Sequence, residues 1–221
     1  MHTQRRAVLA LLAFMAARPV GAQEALMRRP QSWQARRYAN VVRQVLEFSC
    51  GSASLATLLT FFLARPTTEM EVITLLRQRY PAEADWRRKQ EVGFSFEDII
   101  FAAERLGFAA QAARIEVPQL PQITGPVIVH LNKGAWEHFS VLRLARDGFY
   151  YIADPIQGQV TMLEHEFRRE FTGAVLAVWR RGGRVPTASP LQAVRDGLSV
   201  ERSISRMINP TLPAFSFPIP F

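Results

Sequence analysis

Residues 50–63 read CGSASLATLLTFFL, and this stretch predicts a buried helix that begins at a cysteine. Four large apolar residues recur at helical spacing along one face: Leu55, Leu58, Leu59 and Phe62. Free N–H groups and the positive end of the helix dipole at such an N-terminus stabilise a thiolate over a thiol. The pattern indicates a nucleophilic Cys50, and a buried structural cysteine is the alternative.

Cys50 is the only cysteine among the 221 residues. Exported proteins use cysteines mainly in disulfide-bonded pairs. A lone thiol cannot form an internal disulfide and is open to oxidation. In an exported chain, its presence therefore favours a chemical role.

The N-terminus has the pattern of a secretory signal. Two arginines precede an apolar run over residues 7–17, and Val20-Gly21-Ala22 then supplies small residues for a signal peptidase. The apolar run is shorter than the roughly 20 residues that a membrane-spanning helix needs, although an uncleaved anchor is the alternative. The sequence thus predicts a periplasmic or secreted protein that begins near Gln23 and has no stable membrane span.

The composition predicts one globular domain. Apolar residues make up 48% of the chain, which excludes a disordered protein. The net charge of +8 could indicate a nucleic-acid or membrane partner. No glycine-rich or aromatic nucleic-acid motif accompanies it, so we expect a solvated basic surface and no nucleic-acid partner.

The chain divides by composition into four segments. We expect a signal peptide over residues 1–22, a leader or surface strap over residues 23–40, and a folded domain over residues 41–181. Residues 182–221 are expected to form a linker, a short helix and a Pro/Phe-rich tail. In the tail, from Pro210 to Phe221, the prolines exclude regular structure.

The folded domain starts with helices and continues with strands. After the Cys50 helix, capping boxes at Thr68-x-x-Glu71 and Ser95-x-x-Asp98 predict two more helices. The charged, aperiodic stretch from Pro81 to Glu91 predicts a loop. Strands are predicted over residues 108–117, 127–132, 138–144, 149–153 and 174–180, with a short helix over residues 163–171. This order predicts an α+β fold.

A thiolate nucleophile needs a base, and three histidines follow the signal. His165 lies in a charged segment and is expected to be exposed. His130 ends an apolar strand, where a core or strand-edge histidine is the ordinary interpretation. His138 opens a strand beside a flexible loop and can reach a helix N-terminus across a cleft, so it is the candidate base.

Two further residues could complete a catalytic site. Asp154 ends the strand that an Asp147-Gly148 hairpin pairs with the His138 strand, so its carboxylate could orient the imidazole. The alternative is that Asp154-Pro155 only starts a turn. Gln44, six residues before Cys50, is a candidate oxyanion donor, and a surface glutamine is its alternative.

Three ordered motifs carry a family resemblance: Q-x5-C-G from Gln44, H-F-x-V-L from His138, and A-D-P at Ala153–Pro155. Together, from about Val41 to Arg180, they resemble the bacteriocin-processing, double-glycine-leader cysteine peptidases of peptidase family thirty-nine. The resemblance implies a papain-like fold with N-terminal helices packed on an antiparallel sheet. It also implies a role for each site residue: Cys50 as nucleophile, His138 as general base, Asp154 as orienting residue and Gln44 as oxyanion donor.

This chain departs from the transporter-fused members of that family. They carry an acidic residue before the cysteine, where this chain has Ser49, and they have six membrane helices and a P-loop that this sequence does not show. The chain therefore resembles the stand-alone, exported branch. That branch implies an endopeptidase that processes a secreted polypeptide after small residues such as Gly-Gly, in connection with a fibre or peptide secretion system. A secretion-system or outer-membrane component is then the implied partner.

Other functions could use the same residues. A peptide-binding module or secretion chaperone could use the cleft without cleaving, and a transglutaminase-like enzyme could transfer the acyl group to an amine. No cofactor is expected. A metal site at Cys50, His138 and Asp154 is poorly supported, because the sequence has no closely spaced pair of ligands.

Overall fold

A computed structural model of the protein describes residues 32–183, 186 and 188–191. The chain divides into two units, residues 1–36 and residues 37–221. The first unit is described only from residue 32, and the short helix α1 covers Trp33–Arg37. The predicted signal over residues 1–22 and the Pro/Phe-rich tail lie outside the described residues.

The second unit combines helices with one antiparallel sheet. Its helices are α2 (Cys50–Phe61), α3 (Glu69–Arg79), α4 (Glu83–Val92), α5 (Phe96–Arg105) and α6 (Glu164–Glu170). A 3-10 helix covers Val117–Gln122. The strands are β1 (Phe108–Arg114), β2 (Val127–Asn132), β3 (Glu137–Arg146), β4 (Phe149–Asp154), β5 (Gly158–Leu163) and β6 (Phe171–Arg180). The α+β fold class is confirmed, and β5 is a strand that the sequence did not predict.

The sheet has the strand order β1-β6-β2-β3-β4-β5, with neighbouring strands antiparallel. Side chains alternate between the two faces of the sheet along each strand, so each face contributes to its own hydrophobic core. One core joins the helices α2, α3 and α5 to residues such as Val141. The other joins residues such as Leu142 to Phe167 of α6. Strand β3 contributes to both cores and lies near the middle of the sheet.

Helix α2 packs closely on its neighbours because its second residue is glycine. A Cβ at Gly51 would lie 2.7 Å from Cδ1 of Ile99 on α5 and 3.3 Å from Cδ2 of Phe139 on β3. The Ser54 hydroxyl also donates to the Phe139 carbonyl at 3.0 Å. These contacts hold the N-terminus of α2, and with it Cys50, against β3.

The helix starts predicted from capping patterns are confirmed. Thr68 accepts a hydrogen bond from the Glu71 backbone N–H at the start of α3. At the start of α5, Ser95 and Asp98 form a reciprocal capping box. Both caps satisfy N–H groups that the first helical turn leaves without partners.

The prediction of a loop from Pro81 to Glu91 is wrong, because helix α4 occupies most of that stretch. No residue of α4 is buried, so the sequence has no apolar period there. Trp86 anchors the helix with ring centroids 6.1 Å from Phe48 and 5.9 Å from Phe94. Lys89 adds an ion pair at 2.7 Å to the buried Asp98. Contacts with distant residues, rather than local pattern, hold α4.

Both ends of the described part of this unit pack against the sheet. The Gln159 side chain donates to the Ala39 carbonyl at 2.6 Å. Arg143 donates to the carbonyl of Leu191 at 2.8 Å, and the Leu191 side chain is fully buried. In the described part of the chain, no helix has the length and apolar character needed to cross a membrane.

Candidate active site

Cys50 is the first residue of α2 and is half-buried beside a cleft of about 330 Å³. Apolar and aromatic side chains form much of the cleft wall, together with two charged residues and a histidine. The lining residues include Val92, Phe94, Phe96, Phe139, Lys89, Glu137 and His130. The thiol therefore faces a space that a polypeptide segment could enter.

The structure brings His138 and Asp154 together as the sequence predicted. The His138 ring nitrogen Nε2 lies 2.9 Å from Oδ2 of Asp154, and both residues are only 3% exposed. The Ser140 hydroxyl donates to the same carboxylate oxygen at 2.8 Å. The other oxygen accepts from the backbone N–H groups of Ile156 at 2.8 Å and Gln157 at 2.7 Å. Four donors thus fix the carboxylate that lies against the imidazole.

A β-bulge places Asp154 on the face of the sheet that carries His138. The Asp147-Gly148 turn pairs Arg146 with Phe149, and without a bulge this register would set Asp154 opposite Val141. The register shifts by one residue between Leu142 and Leu144, so Ala153 lies opposite Val141 instead. Asp154 then lies opposite Ser140, which shares a face with His138 because alternate residues do.

The pair is charged over a wide pH range. Burial disfavours the imidazolium, but the hydrogen bonds and charges of Asp154 and Cys50 outweigh burial and raise the pKa of His138 to about 9. Burial likewise opposes ionisation of Asp154. Its bond and attraction to His138, with the Gln157 N–H and Ser140, lower the pKa of Asp154 to about 2. At neutral pH the site holds an imidazolium beside a carboxylate.

This charge state predicts how His138 titrates. In an NMR titration, the His138 ring should remain protonated up to about pH 9. Asp154→Asn should lower the pKa of His138, because burial is then opposed by Cys50 alone. Ser140→Ala is the matched control, since it removes a donor to Asp154 but keeps the carboxylate. A wild-type His138 that titrates near the ordinary histidine pKa of about 6.5 would contradict this account.

Gln44 lies in the loop that leads to Cys50, with its amide group turned into that loop. Its Nε2 donates to the carbonyls of Leu46 at 2.6 Å and Glu47 at 2.9 Å. Its Oε1 is buried without a hydrogen-bond partner among the described residues. The Gln44 backbone N–H donates to the Pro155 carbonyl at 2.9 Å, which links this loop to the Asp154 turn. The oxyanion role of Gln44 stays a prediction.

The other two histidines have different surroundings from His138. His165 is exposed on α6. His130 lines the cleft, with Nδ1 3.0 Å from the Thr172 hydroxyl and Nε2 3.5 Å from Glu137. Within the described residues, no group of three or more histidine, cysteine or acidic side chains is placed to hold a metal ion.

Three residues at the site were not predicted from the sequence. Ser140 could have been found, because its spacing of two from His138 on one strand puts both on the same face. Trp136 stacks on the His138 ring with centroids 5.9 Å apart and is 53% exposed. Glu69, 5% exposed at the start of α3, binds the loop before Cys50. Nothing in the local sequence signals the contacts of Glu69.

Comparison with known proteins confirms the family resemblance. The model of the family described as Peptidase C39 family matches residues 38–182. The chain is 34% identical to the "Probable functional amyloid protease FapD" of Pseudomonas aeruginosa over 176 residues, which cover 80% of this chain and 75% of that protein. It is 32% identical to the protein of the same name in Pseudomonas fluorescens over 187 residues, 80% of this chain and 81% of that protein.

The fold is also that of a solved peptidase domain. The peptidase domain of Streptococcus ComA, described as a bifunctional ABC transporter of a quorum-sensing pathway, superposes with a TM-score of 0.56. The two are 22% identical, and the match covers 65% of this chain and all of that domain. This likeness confirms the papain-like α+β architecture of the folded region.

Proposed function

Because the chain belongs to the Peptidase C39 family and is a cysteine peptidase, we propose that it is an exported endopeptidase that processes a secreted polypeptide after small residues such as Gly-Gly. The observation that carries this proposal is the buried His138–Asp154 pair, whose imidazolium is stabilised by Cys50 at the mouth of a cleft. Export to the periplasm or medium is supported by the signal-like residues 1–22.

In the proposed reaction the Cys50 sulfur attacks the carbonyl carbon of the scissile peptide bond. The carbonyl oxygen becomes an oxyanion, and the backbone N–H of Cys50, the first residue of α2, is a proposed donor to it. The His138 imidazolium then gives its proton to the leaving nitrogen as the C–N bond breaks, and a thioester remains. Neutral His138 next takes a proton from water, whose oxygen attacks the thioester and releases the acid and the thiolate.

Asp154 and Gln44 support this chemistry in different ways. Asp154 holds the imidazole ring and stabilises its charge through the 2.9 Å contact. Gln44 is the second proposed oxyanion donor. In the described conformation both N–H bonds of its amide are directed at the Leu46 and Glu47 carbonyls. To donate to the substrate, the Gln44 amide must therefore give up its hydrogen bond to one of these two carbonyls when the substrate binds.

The substrate class is supported by the relatives. Two curated relatives that are more than 30% identical carry the name "Probable functional amyloid protease", which supports a substrate from a fibre or peptide secretion system. A component of that system, or of the outer membrane, is the proposed partner. Cleavage after small residues is supported by the resemblance to double-glycine-leader peptidases.

We expect new polypeptide N-termini when the purified protein is incubated with polypeptides secreted by its host. Those N-termini, labelled and identified by mass spectrometry, should follow small residues, with Gly-Gly the main site. In a synthetic peptide of such a site, exchanging the glycine before the cut for leucine should lower kcat/KM by about tenfold to 200-fold for each poorly fitting position.

Two controls make this experiment decisive. A Cys50→Ala protein should yield no new N-termini. New N-termini after bulky residues would contradict the proposed specificity. Binding of secreted polypeptides without any cleavage would contradict the proposed function and indicate a peptide-binding module.

A further inference from the structure

We propose that Glu69 is a positioning residue for the Cys50 nucleophile, a role that rests on the peptidase function proposed above. Glu69 acts through the loop of residues 45–49, called here the nucleophile loop, which leads directly into α2. It belongs to α3, and 18 residues separate it from Cys50 in the sequence.

The Glu69 carboxylate collects hydrogen bonds from three residues of the nucleophile loop. The Val45 backbone N–H lies 3.0 Å from each of its two oxygens. The Leu46 N–H donates to Oε1 at 3.4 Å, and the Ser49 hydroxyl shares its one hydrogen between the same oxygen and the Leu46 carbonyl at 2.7 Å. One side chain of α3 thus ties both ends of the loop together.

Because the Glu69 carboxylate is buried, its hydrogen bonds to the nucleophile loop are needed to keep the loop folded. Glu69 is only 5% exposed, and a buried carboxylate is costly unless hydrogen-bond donors surround it. Its donors here come from the nucleophile loop. The loop therefore stabilises the buried carboxylate, and the carboxylate in turn holds the loop in its conformation. Release of the loop would leave the carboxylate without these donors.

The same loop controls the groups proposed to react. Ser49 directly precedes Cys50, and its N–H donates to the Leu46 carbonyl at 3.3 Å. That carbonyl also accepts the Gln44 amide at 2.6 Å. Because Glu69 holds the Leu46 N–H and the Ser49 hydroxyl, a shift of the loop would move both Cys50 and the proposed oxyanion donors.

Glu71 offers a matched control on the same helix. It lies two residues after Glu69, within the first turn of α3, and pairs with Arg65 at 2.9 Å with its side chain 39% exposed. Both glutamates are acidic groups near a helix N-terminus, where a negative charge interacts favourably with the helix dipole. Only Glu69 has hydrogen bonds to the nucleophile loop among the contacts described above.

The test compares Glu69→Leu, Glu69→Gln and Glu71→Leu in the full chain. Glu69→Leu should lower kcat per titrated thiol by about 10- to 100-fold with a smaller change in KM, because misplacing the reacting group by about 1 Å costs that much. Amide hydrogen exchange at Val45 and Leu46 should become faster. Glu69→Gln should recover most of kcat, since its amide oxygen can accept from the same loop donors that reach Oε1 of Glu69. Glu71→Leu should change neither kcat nor the exchange rates at Val45 and Leu46.

The outcomes separate this proposal from the proposed function. An unchanged kcat for Glu69→Leu in a cleaving enzyme would overturn the positioning role and leave the peptidase function intact. If the wild type cleaves nothing, the peptidase function fails, and so does a positioning role that rests on it. Faster exchange at Val45 and Leu46 with unchanged kcat would show a structural role only and also overturn the proposal.

Discussion

Replacing Cys50 with alanine is expected to lower the rate of peptide-bond cleavage by about 10⁴-fold or more, because loss of the nucleophile removes the covalent route. Cys50 is half-buried at the first turn of α2, so alanine should fit there without disturbing the helix. The measurement is kcat on a cleaved peptide, together with thermal unfolding to show that the variant is folded.

Ser52→Ala is the matched control for this substitution. Ser52 lies two residues further along α2, and its buried hydroxyl has no hydrogen-bond partner among the described residues. Its removal should leave both kcat and stability close to those of the wild type. Cleavage by Cys50→Ala at more than a hundredth of the wild-type rate would show that Cys50 is not the nucleophile.

Replacing His138 with alanine is the second large expected effect, with kcat lowered by about 10²- to 10⁴-fold. In the proposed mechanism the imidazolium gives its proton to the leaving nitrogen, and His138 is the histidine whose pKa Asp154 and Cys50 raise. His165→Ala is the control, because that histidine is exposed on α6 and should be dispensable.

The wild-type pH profile tests the same role. The pKa of His138 is raised to about 9, so the ring carries its proton below that pH and loses it above. The rate of the acylation step should therefore fall as the pH rises through about 9. The pKa of Asp154 is lowered to about 2, so the carboxylate stays ionised across the working range. An acylation rate that stays constant to pH 10.5 would contradict the proton-donor role.

Local sequence patterns predicted much of the fold and the candidate site. The apolar period after Cys50 predicted α2, and the Ser95–Asp98 capping box predicted the start of α5. The Asp147-Gly148 pair predicted the β3–β4 hairpin, and both residues have the positive φ, 53° and 78°, that such a turn needs. These features depend on residues close together in the chain, so the sequence displays them directly.

Features held by distant contacts were not predicted. Helix α4 shows no apolar period, because Trp86 and its contacts with Phe48 and Phe94 anchor it. Glu69 looks like an ordinary helix-start glutamate until the fold brings residues 45–49 to its carboxylate. The residues next to helix α4 and to Glu69 in the sequence form no pattern that predicts these contacts.

The sequence by itself determined which residues could react and where they lie in the helices and strands. These are a lone cysteine at a helix start, a histidine near the start of one strand and an aspartate at the end of the next. Only the tertiary structure decided how these groups meet. The register shift between Leu142 and Leu144 puts Asp154 on the His138 face, where a regular hairpin would have turned it away. The physical reason is that a strand alternates its faces with every residue, so one extra residue, set by long-range packing, decides which side chains can touch.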